Sequence, residues 1–357
     1  MKILVIQQKM IGDVLTSSIL FEALRDKYPE AELHFMIYPH TAPVVENNPF
    51  INHIIYYPDK ELKNPFRFIS FLKKIRKQQY DVVIDVYSKI GSGLISFFSG
   101  AKVRTGYKKW YTRWCYSKSF RYAETPETEA GLAVENRLLL LSALSSDFPL
   151  EIKPKIYLTE AEIGKAREQL HKEGIDFKKP LFMIGVLGSS LKKTYPLAYM
   201  AKILDHLAET TEAQFLFNYI PKQKKEVLKL YELCKEKTRK KIFIELFGSS
   251  LREFIALTSL SDALIGNEGG AVNMAKAVNT PTFSIFAPQI EKNAWSLYED
   301  EHNVAVHLKD FLPAAFEEDS PVKDRIDELY EDFGYKFILP KLDEFINNLK
   351  LNKNKKH

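Results

Sequence analysis

Chemistry in this chain is concentrated in stretches that pair glycine with side chains able to move a proton or hold a phosphate. The first is residues 8–14, QKMIGDV. Gly12 permits a tight turn, and Asp13 falls at or near the N-cap of the helix expected after it. An aspartate there caps orphan N–H groups and complements the helix dipole. The same carboxylate, held rigidly on a strand-end loop, can also act as a general base. The residues alone leave both readings open.

The second stretch is 188–196, GSSLKKTYP. Gly188, Ser189, Ser190 and Lys193 offer backbone amides, hydroxyls and an ammonium group ahead of a helix that starts near Pro196. That set suits a phosphate, although a solvated lysine pair reads equally well. The spacing is not that of a P-loop. The third stretch is 265–275, IGNEGGAVNMA, where Gly266, Gly269 and Gly270 surround Glu268 and Asn273 follows one turn later. Glycines allow a ligand to approach the backbone, and the following helix N-terminus favours an anion. The spacing is not GxGxxG, so a dehydrogenase fingerprint is not supported. Another loop, Ala287, Pro288 and Gln289, follows the next strand.

These loops need elements to hold them, and the hydrophobic pattern supplies a consistent set. Short β-branched runs at 2–7, 32–38, 52–57 and 81–86 predict strands, and 14–27, 65–78 and 129–145 predict helices. Residues 146–155, with Pro149 and Pro154, break the pattern and read as a linker. Alternation then restarts. Helices are expected at 160–174, 197–208, 221–237, 250–260, 270–278 and 322–351, and strands at 181–186, 214–217, 241–244, 262–265 and 281–286. Strand–helix alternation implies right-handed crossovers and a mainly parallel sheet. The expected class is α/β, with two facing Rossmann-like domains and a cleft between them. The boundaries are 1–150 for an acceptor-binding domain and 151–330 for a nucleotide-sugar-binding domain. Residues 331–357 are a C-terminal helix and basic tail, expected to pack back on the first domain.

Composition narrows the class. Of 357 residues, 45% are apolar and 27% charged, the balance of a globular chain rather than a disordered one. Cys115 and Cys234 lie far apart without metal-ligand spacing and read as reduced thiols. No secretory leader and no run of about 18 apolar residues are evident, so a cytoplasmic location is expected. The net charge of +5 is gathered in patches around 60–77, 102–121, 222–241 and 350–357. Such patches suit an anionic partner or a membrane surface. No nucleic-acid-binding motif is present, and nucleic acid is not an expected partner.

The opening MKILVIQQKMIGDVLTSSILFEALRDKYPEAELHF, with GSSLKKTYP, LREFIALTSLSDALIGNEGGAVNMAKA and PTFSIFAP in the same order, resembles the heptosyltransferases of glycosyltransferase family 9. The resemblance covers about residues 1–288. It implies a GT-B fold, an ADP-heptose donor, a lipopolysaccharide inner-core acceptor, and inversion at the anomeric carbon without an essential metal. Asp13 then matches the catalytic base, and Lys193 the lysine that binds the nucleotide phosphates. Gly12, Gly188, Ser189 and Ser190 fall with the donor loops. Glu268, Gly269 and Gly270 stand where the family usually has Asp-Thr-Gly, and Asn273 where it usually has His. Tyr195 replaces the usual tryptophan. These departures bear on the donor, so a family 9 enzyme using another nucleotide sugar is the first rival reading. A non-catalytic nucleotide or glycan binder is the second. No Asp-x-Asp metal motif is present. Lys60, Lys63, Arg67, Lys108, Lys109 and Trp110 supply cations and an aromatic ring for an anionic glycolipid acceptor. Trp110, Tyr111 and Trp114 read equally as acceptor contact, membrane-edge anchor or packing cluster.

Overall fold

The computed structural model describes residues 1–58, 64–317 and 320–349. Lys60 and Lys63 lie outside the described residues, as does the basic tail from residue 350 onward. The chain divides into two compact units. One is Met1–Tyr157 with Asn293–Leu297, and the other is Leu158–Lys292 with the described residues from Tyr298 on. Residues 146–159 carry no helix or strand.

The first unit is built on β1 (Lys2–Ile6), β2 (Glu32–Ile37), β3 (His53–Tyr56), β4 (Val82–Asp85), β5 (Val103–Tyr107) and β6 (Lys118–Phe120). They form one parallel sheet in the order β3-β2-β1-β4-β5-β6. β1 and β4 are almost wholly apolar and buried, as strands covered on both faces must be. Its helices are α1 (Ile11–Ser17), α2 (Ile19–Lys27), α3 (Pro65–Lys77), α4 (Ile90–Ser99) and α5 (Leu132–Leu139).

The helix expected over 14–27 is therefore two. Thr16, Ser17 and Ser18 donate their hydroxyls to the carbonyls of Gly12, Asp13 and Leu15 at 2.9, 2.7 and 2.7 Å. Such back-bonding competes with the helical ladder and bends it. The helix expected over 129–145 is shorter and runs into a 3₁₀ turn, Leu140–Ala143. Three elements were not expected: α4, whose Ile-Gly-Ser-Gly start reads as a turn, and the short strands β5 and β6, which carry polar residues.

The second unit repeats the plan. β7 (Leu181–Gly185), β8 (Gln214–Asn218), β9 (Ile242–Phe243), β10 (Ala263–Asn267), β11 (Thr282–Ile285) and β12 (Asn303–Val306) form a parallel sheet ordered β12-β11-β10-β7-β8-β9. Its helices include α6 (Glu160–Lys172), α7 (Leu197–Thr210), α8 (Lys224–Leu233), α9 (Glu236–Arg239), α10 (Leu251–Ser259) and α11 (Gly270–Ala277). The helix expected over 221–237 is broken at Cys234 and Lys235, where Asp205 accepts from the Lys235 N–H at 2.9 Å. The edge strand β12 was not expected.

The C-terminal segment corrects its expectation. Residues 322–349 form two helices, Ile326–Asp332 and Tyr335–Asn348, broken at Phe333 and Gly334. They join the core of the second unit through Phe333, Ile338, Leu342 and Phe345, and Phe345 meets Phe283 at 5.6 Å.

Candidate active site

In each unit the strand order reverses once, between β1 and β4 and between β7 and β10. Loops leaving those two strands diverge to opposite sheet faces. The crevice at their carboxyl ends is where open α/β sheets bind ligands. The predicted donor and catalytic residues fall on these loops.

In the first unit Gly12 and Asp13 lie in the first turn of α1, Asp13 as the third helical residue rather than the N-cap. Its Oδ2 accepts the Met10 N–H at 3.2 Å, so the capping reading of this carboxylate is a real part of its role. Its Oδ1 accepts from Arg137 Nη2 at 2.7 Å. Arg137 is buried on α5 and also donates to Ser17 Oγ at 2.9 Å and to the Ala133 carbonyl at 2.5 Å. The Asp13 side chain is thus fixed from two sides yet keeps 26% of its surface open. Sequence reasoning missed Arg137. Its signal was a lone cation on the face that also carries Ala133, Val134 and Leu138, which only a buried partner explains.

Beside this pair Tyr107 and Tyr122 stack at 3.9 Å, and the Tyr107 hydroxyl donates to the Asn136 carbonyl at 2.9 Å. Burial holds both phenols above the ordinary range, Tyr122 up to about 12, so both stay neutral. Lys109 lies 5.9 Å from the Tyr122 ring centre and donates to the Ser88 carbonyl at 3.2 Å. Burial, and then repulsion from Lys89, lowers its pKa. Of the other predicted acceptor residues, Lys108 and Arg67 are exposed and Trp110 is 86% exposed. Trp114 is exposed as well, but its ring meets Phe97 at 5.4 Å and its Nε1 donates to the Tyr111 carbonyl at 3.0 Å, and Trp110 meets Tyr111 at 5.5 Å, a partly buried packing cluster.

A second carboxylate escaped the sequence reading. Asp85 ends β4 and is fully buried. It accepts the Ser88 N–H and the Tyr116 hydroxyl, each at 2.8 Å. Burial outweighs these bonds and pushes its carboxyl up to about 6 from 3.8. Folding therefore takes up a proton between those two values. The Asp85 contribution to stability is full below about pH 4 and is lost as pH rises through 6. Asp85→Asn should flatten that decline, removing a cost of about 3 kcal/mol at most. Thermal melts from pH 4 to 8 read this directly. A variant with the wild-type pH slope contradicts the assignment.

In the second unit the loops after β7 and β10 meet. Asn267 links them: its Nδ2 donates to the Gly185 and Val186 carbonyls at 2.8 and 2.9 Å, and its Oδ1 accepts the Tyr195 N–H at 2.6 Å. Residues 188–194 curl into a turn in which Thr194 Oγ1 accepts the Gly188 N–H at 3.0 Å and donates to the Ser190 carbonyl at 2.9 Å. A Cβ on Gly188 would run into the Lys193 carbonyl, so the turn requires glycine there. The Lys192 carbonyl is held from outside by Gln289 Nε2 at 2.7 Å and the Tyr330 hydroxyl at 3.3 Å. Pro196 caps α7 rather than joining its first turn. Ser189 and Ser190 are exposed and Lys193 is half-buried.

Glu268 is half-buried, and burial raises its pKa while the Lys193 ammonium partly opposes this. Gly269 takes φ +154°, which favours glycine, and precedes α11, whose first residue is Gly270. A Cβ at Gly269 or Gly270 would touch nothing within 4 Å, so the approach to this helix N-terminus is open. Asn273 is half-buried one turn along α11. Lys193, Glu268, Gly269 and Gly270 therefore share one sheet end. Asn267 went unnoticed as a tie because its only sequence signal is a polar residue closing an apolar strand.

Two Rossmann-like sheets, each with glycine-bearing loops at its switch point, make up the GT-B fold. Solved structures agree. The chain aligns with a family 9 glycosyl transferase of Veillonella parvula at TM-score 0.78 and 17% identity, over 97% of each chain. It aligns with E. coli ADP-heptose lps heptosyltransferase II at TM-score 0.73 and 17% identity, over 98% of this chain and 100% of the other. The sequence model of glycosyltransferase family 9 (heptosyltransferase) matches residues 68–315, and the chain belongs to that family. Among curated relatives, lipopolysaccharide heptosyltransferase 1 of Campylobacter coli is 24% identical over 297 residues, 80% of this chain and 84% of the relative. Lipooligosaccharide heptosyltransferase 2 of Haemophilus influenzae is 24% identical over 301 residues, 81% and 84% of the two. The protein is a glycosyltransferase.

Proposed function

We propose that this enzyme moves a heptose from ADP-heptose to the inner core of a lipopolysaccharide, with inversion and with Asp13 as the base. The observation that carries the mechanism is the Asp13 carboxylate, clamped by the Met10 N–H and Arg137 yet still open to solvent. The acceptor hydroxyl gives its proton to Asp13 as its oxygen attacks the anomeric carbon. The bond from that carbon to the diphosphate breaks on the opposite face, and ADP leaves with the bonding electrons. Lys193, the Ser189–Ser190 turn and the N-terminus of α11 hold the negative charge that grows on the leaving group. With those cations and dipoles in place, transfer needs no metal at the diphosphate, and activity should survive chelation with EDTA.

Glu268 sits among these groups and repels a diphosphate when ionised. Burial raises its pKa, and Asn273 offers the donor sugar hydrogen bonds without charge. On the acceptor side, Lys108, Lys109, Arg67 and the exposed Trp110 offer cations and an aromatic face to a phosphorylated glycolipid. Among the described residues no helix is long and apolar enough to cross a membrane, so contact with the lipid is a surface matter.

A melting-temperature screen of ADP, UDP and GDP, with a sugar donor of each, tests the donor. Ligands that bind the folded state raise its melting point in step with their affinity. Shifts confined to ADP and ADP-heptose fit the reading. A shift with UDP or GDP compounds instead keeps the fold and Asp13 but removes ADP-heptose.

A further inference from the structure

Among the described residues, one trio of potential metal ligands converges: donor atoms of Glu32, His34 and His53 all lie within 4.8 Å of one another. Strand geometry puts them together. Glu32 and His34 are two apart on β2 and so project from the same face. His53 opens β3 and stands in parallel register directly beside His34. The sequence reading gave none of the three a role.

We infer that Glu32, His34 and His53 form a binding site for a divalent transition cation of the Zn²⁺ class. Glu32 Oε1 lies 2.7 Å from His34 Nε2 and 3.8 Å from His53 Nε2. Donors around a tetrahedral zinc stand about 3.4 Å apart, so these two separations bracket what the ion requires. Small side-chain rotations reach it, and His53 is exposed, its ring edge-on to that of His34 at 4.8 Å.

The support around the trio is that of a metal site. His34 is buried, and its other ring nitrogen, Nδ1, pairs with the Tyr80 hydroxyl at 2.8 Å. A partner on the second nitrogen fixes ring orientation and leaves Nε2 directed at the shared point. Asn52 Oδ1 accepts from the Leu33 N–H at 2.8 Å and from Arg25 Nη2 at 2.7 Å, which sets the backbone immediately before His53.

Lys2 is the competing cation, 3.4 Å from Glu32 Oε1. It also donates to Gln78 Oε1 at 3.0 Å and lies 5.6 Å from the Tyr80 ring centre, so it has other partners once Glu32 turns to a metal. Two imidazoles and one carboxylate favour Zn²⁺, Co²⁺ or Ni²⁺ over Mg²⁺ and Ca²⁺. Water would complete the shell.

The location says what such an ion would do. Glu32 pairs with Lys2 at the start of β1, whereas Asp13 follows the end of β1. The trio is therefore at the opposite sheet end from the proposed base. A bound cation would clamp the edge strand β3 to β2 and would act on stability, not on transfer.

The test uses the full-length protein without a polyhistidine tag, stripped with EDTA and dialysed. Titration with Co²⁺ followed by visible absorption, and with Zn²⁺ by calorimetry, should show one site of micromolar or tighter affinity. Zn²⁺ should raise the melting temperature by several degrees and Mg²⁺ should not. His53→Ala, at an exposed position, should weaken binding at least tenfold and abolish the rise while leaving the metal-free melting point unchanged. Glu32→Gln should weaken it likewise. Absence of one-site binding up to 100 µM metal, or wild-type binding by His53→Ala, would overturn the inference.

Discussion

Asp13→Asn lowers kcat roughly 10²–10⁴-fold while the affinity for ADP and for the donor stays within a factor of about three of wild type. The substitution keeps the side chain's size and an oxygen able to accept the Met10 N–H at the cap. It removes the negative charge and the capacity to take a proton. Because Arg137 is buried and paired to Asp13 Oδ1, the variant leaves that guanidinium with a weaker acceptor. Some loss of melting temperature is therefore expected as well, since an unpaired buried charge is destabilising. Measuring donor affinity alongside kcat separates the two effects. A folded variant that binds donor normally yet turns over slowly is the expected outcome. Normal turnover would mean that Asp13 is only a helix cap.

Lys193→Ala acts on the other reactant. Its ammonium is half-buried at the carboxyl ends of β7 and β10, close enough to Glu268 to offset part of the rise that burial gives that group's pKa. Removing it should cut kcat/KM for the donor roughly 10²–10³-fold, the usual effect of deleting one stabilising group at a developing anion. Both terms should suffer, because the diphosphate gains charge as it leaves. ADP affinity should fall about tenfold, and Lys193→Arg should recover part of it. The turn itself is held by Thr194, Gln289, Tyr330 and the Tyr195 N–H bond to Asn267, none of which uses the lysine ammonium. The fold should therefore survive, and a kcat/KM within threefold of wild type would remove Lys193 from the donor site.

What the sequence revealed and what it hid follow a physical division. Buried parallel strands such as 2–6 and 181–185 are continuous apolar runs, so their positions and the α/β class were legible. Glycine with Asp13, or with Glu268, at a strand end marked the loops, because turn geometry is local. Short edge elements were hidden: β5 and β6 are brief and part-polar, β12 has four residues, and pairing alone makes them strands. Helix breaks at Ser18 and at Phe333–Gly334 were hidden too, because hydroxyl back-bonding and packing override the apolar period. Long-range ties were the least visible. Arg137 meets Asp13 across 124 residues and Asn267 meets Tyr195 across 72, separations at which one sequence carries no sign of contact. The Glu32–His34–His53 trio depends on strand register, which also emerges only with the sheet.

The proposed reaction rests on heptose leaving ADP for an acceptor activated by Asp13. The most direct measurement is the rate of ADP release from ADP-heptose with heptose-free lipopolysaccharide as acceptor, for wild type and Asp13→Asn side by side. The account predicts acceptor-dependent release by wild type, accompanied by a heptosylated product, and a rate at least a hundredfold lower for the variant. Equal rates for the two proteins, or no release from ADP-heptose alongside turnover of a UDP or GDP sugar, would contradict it.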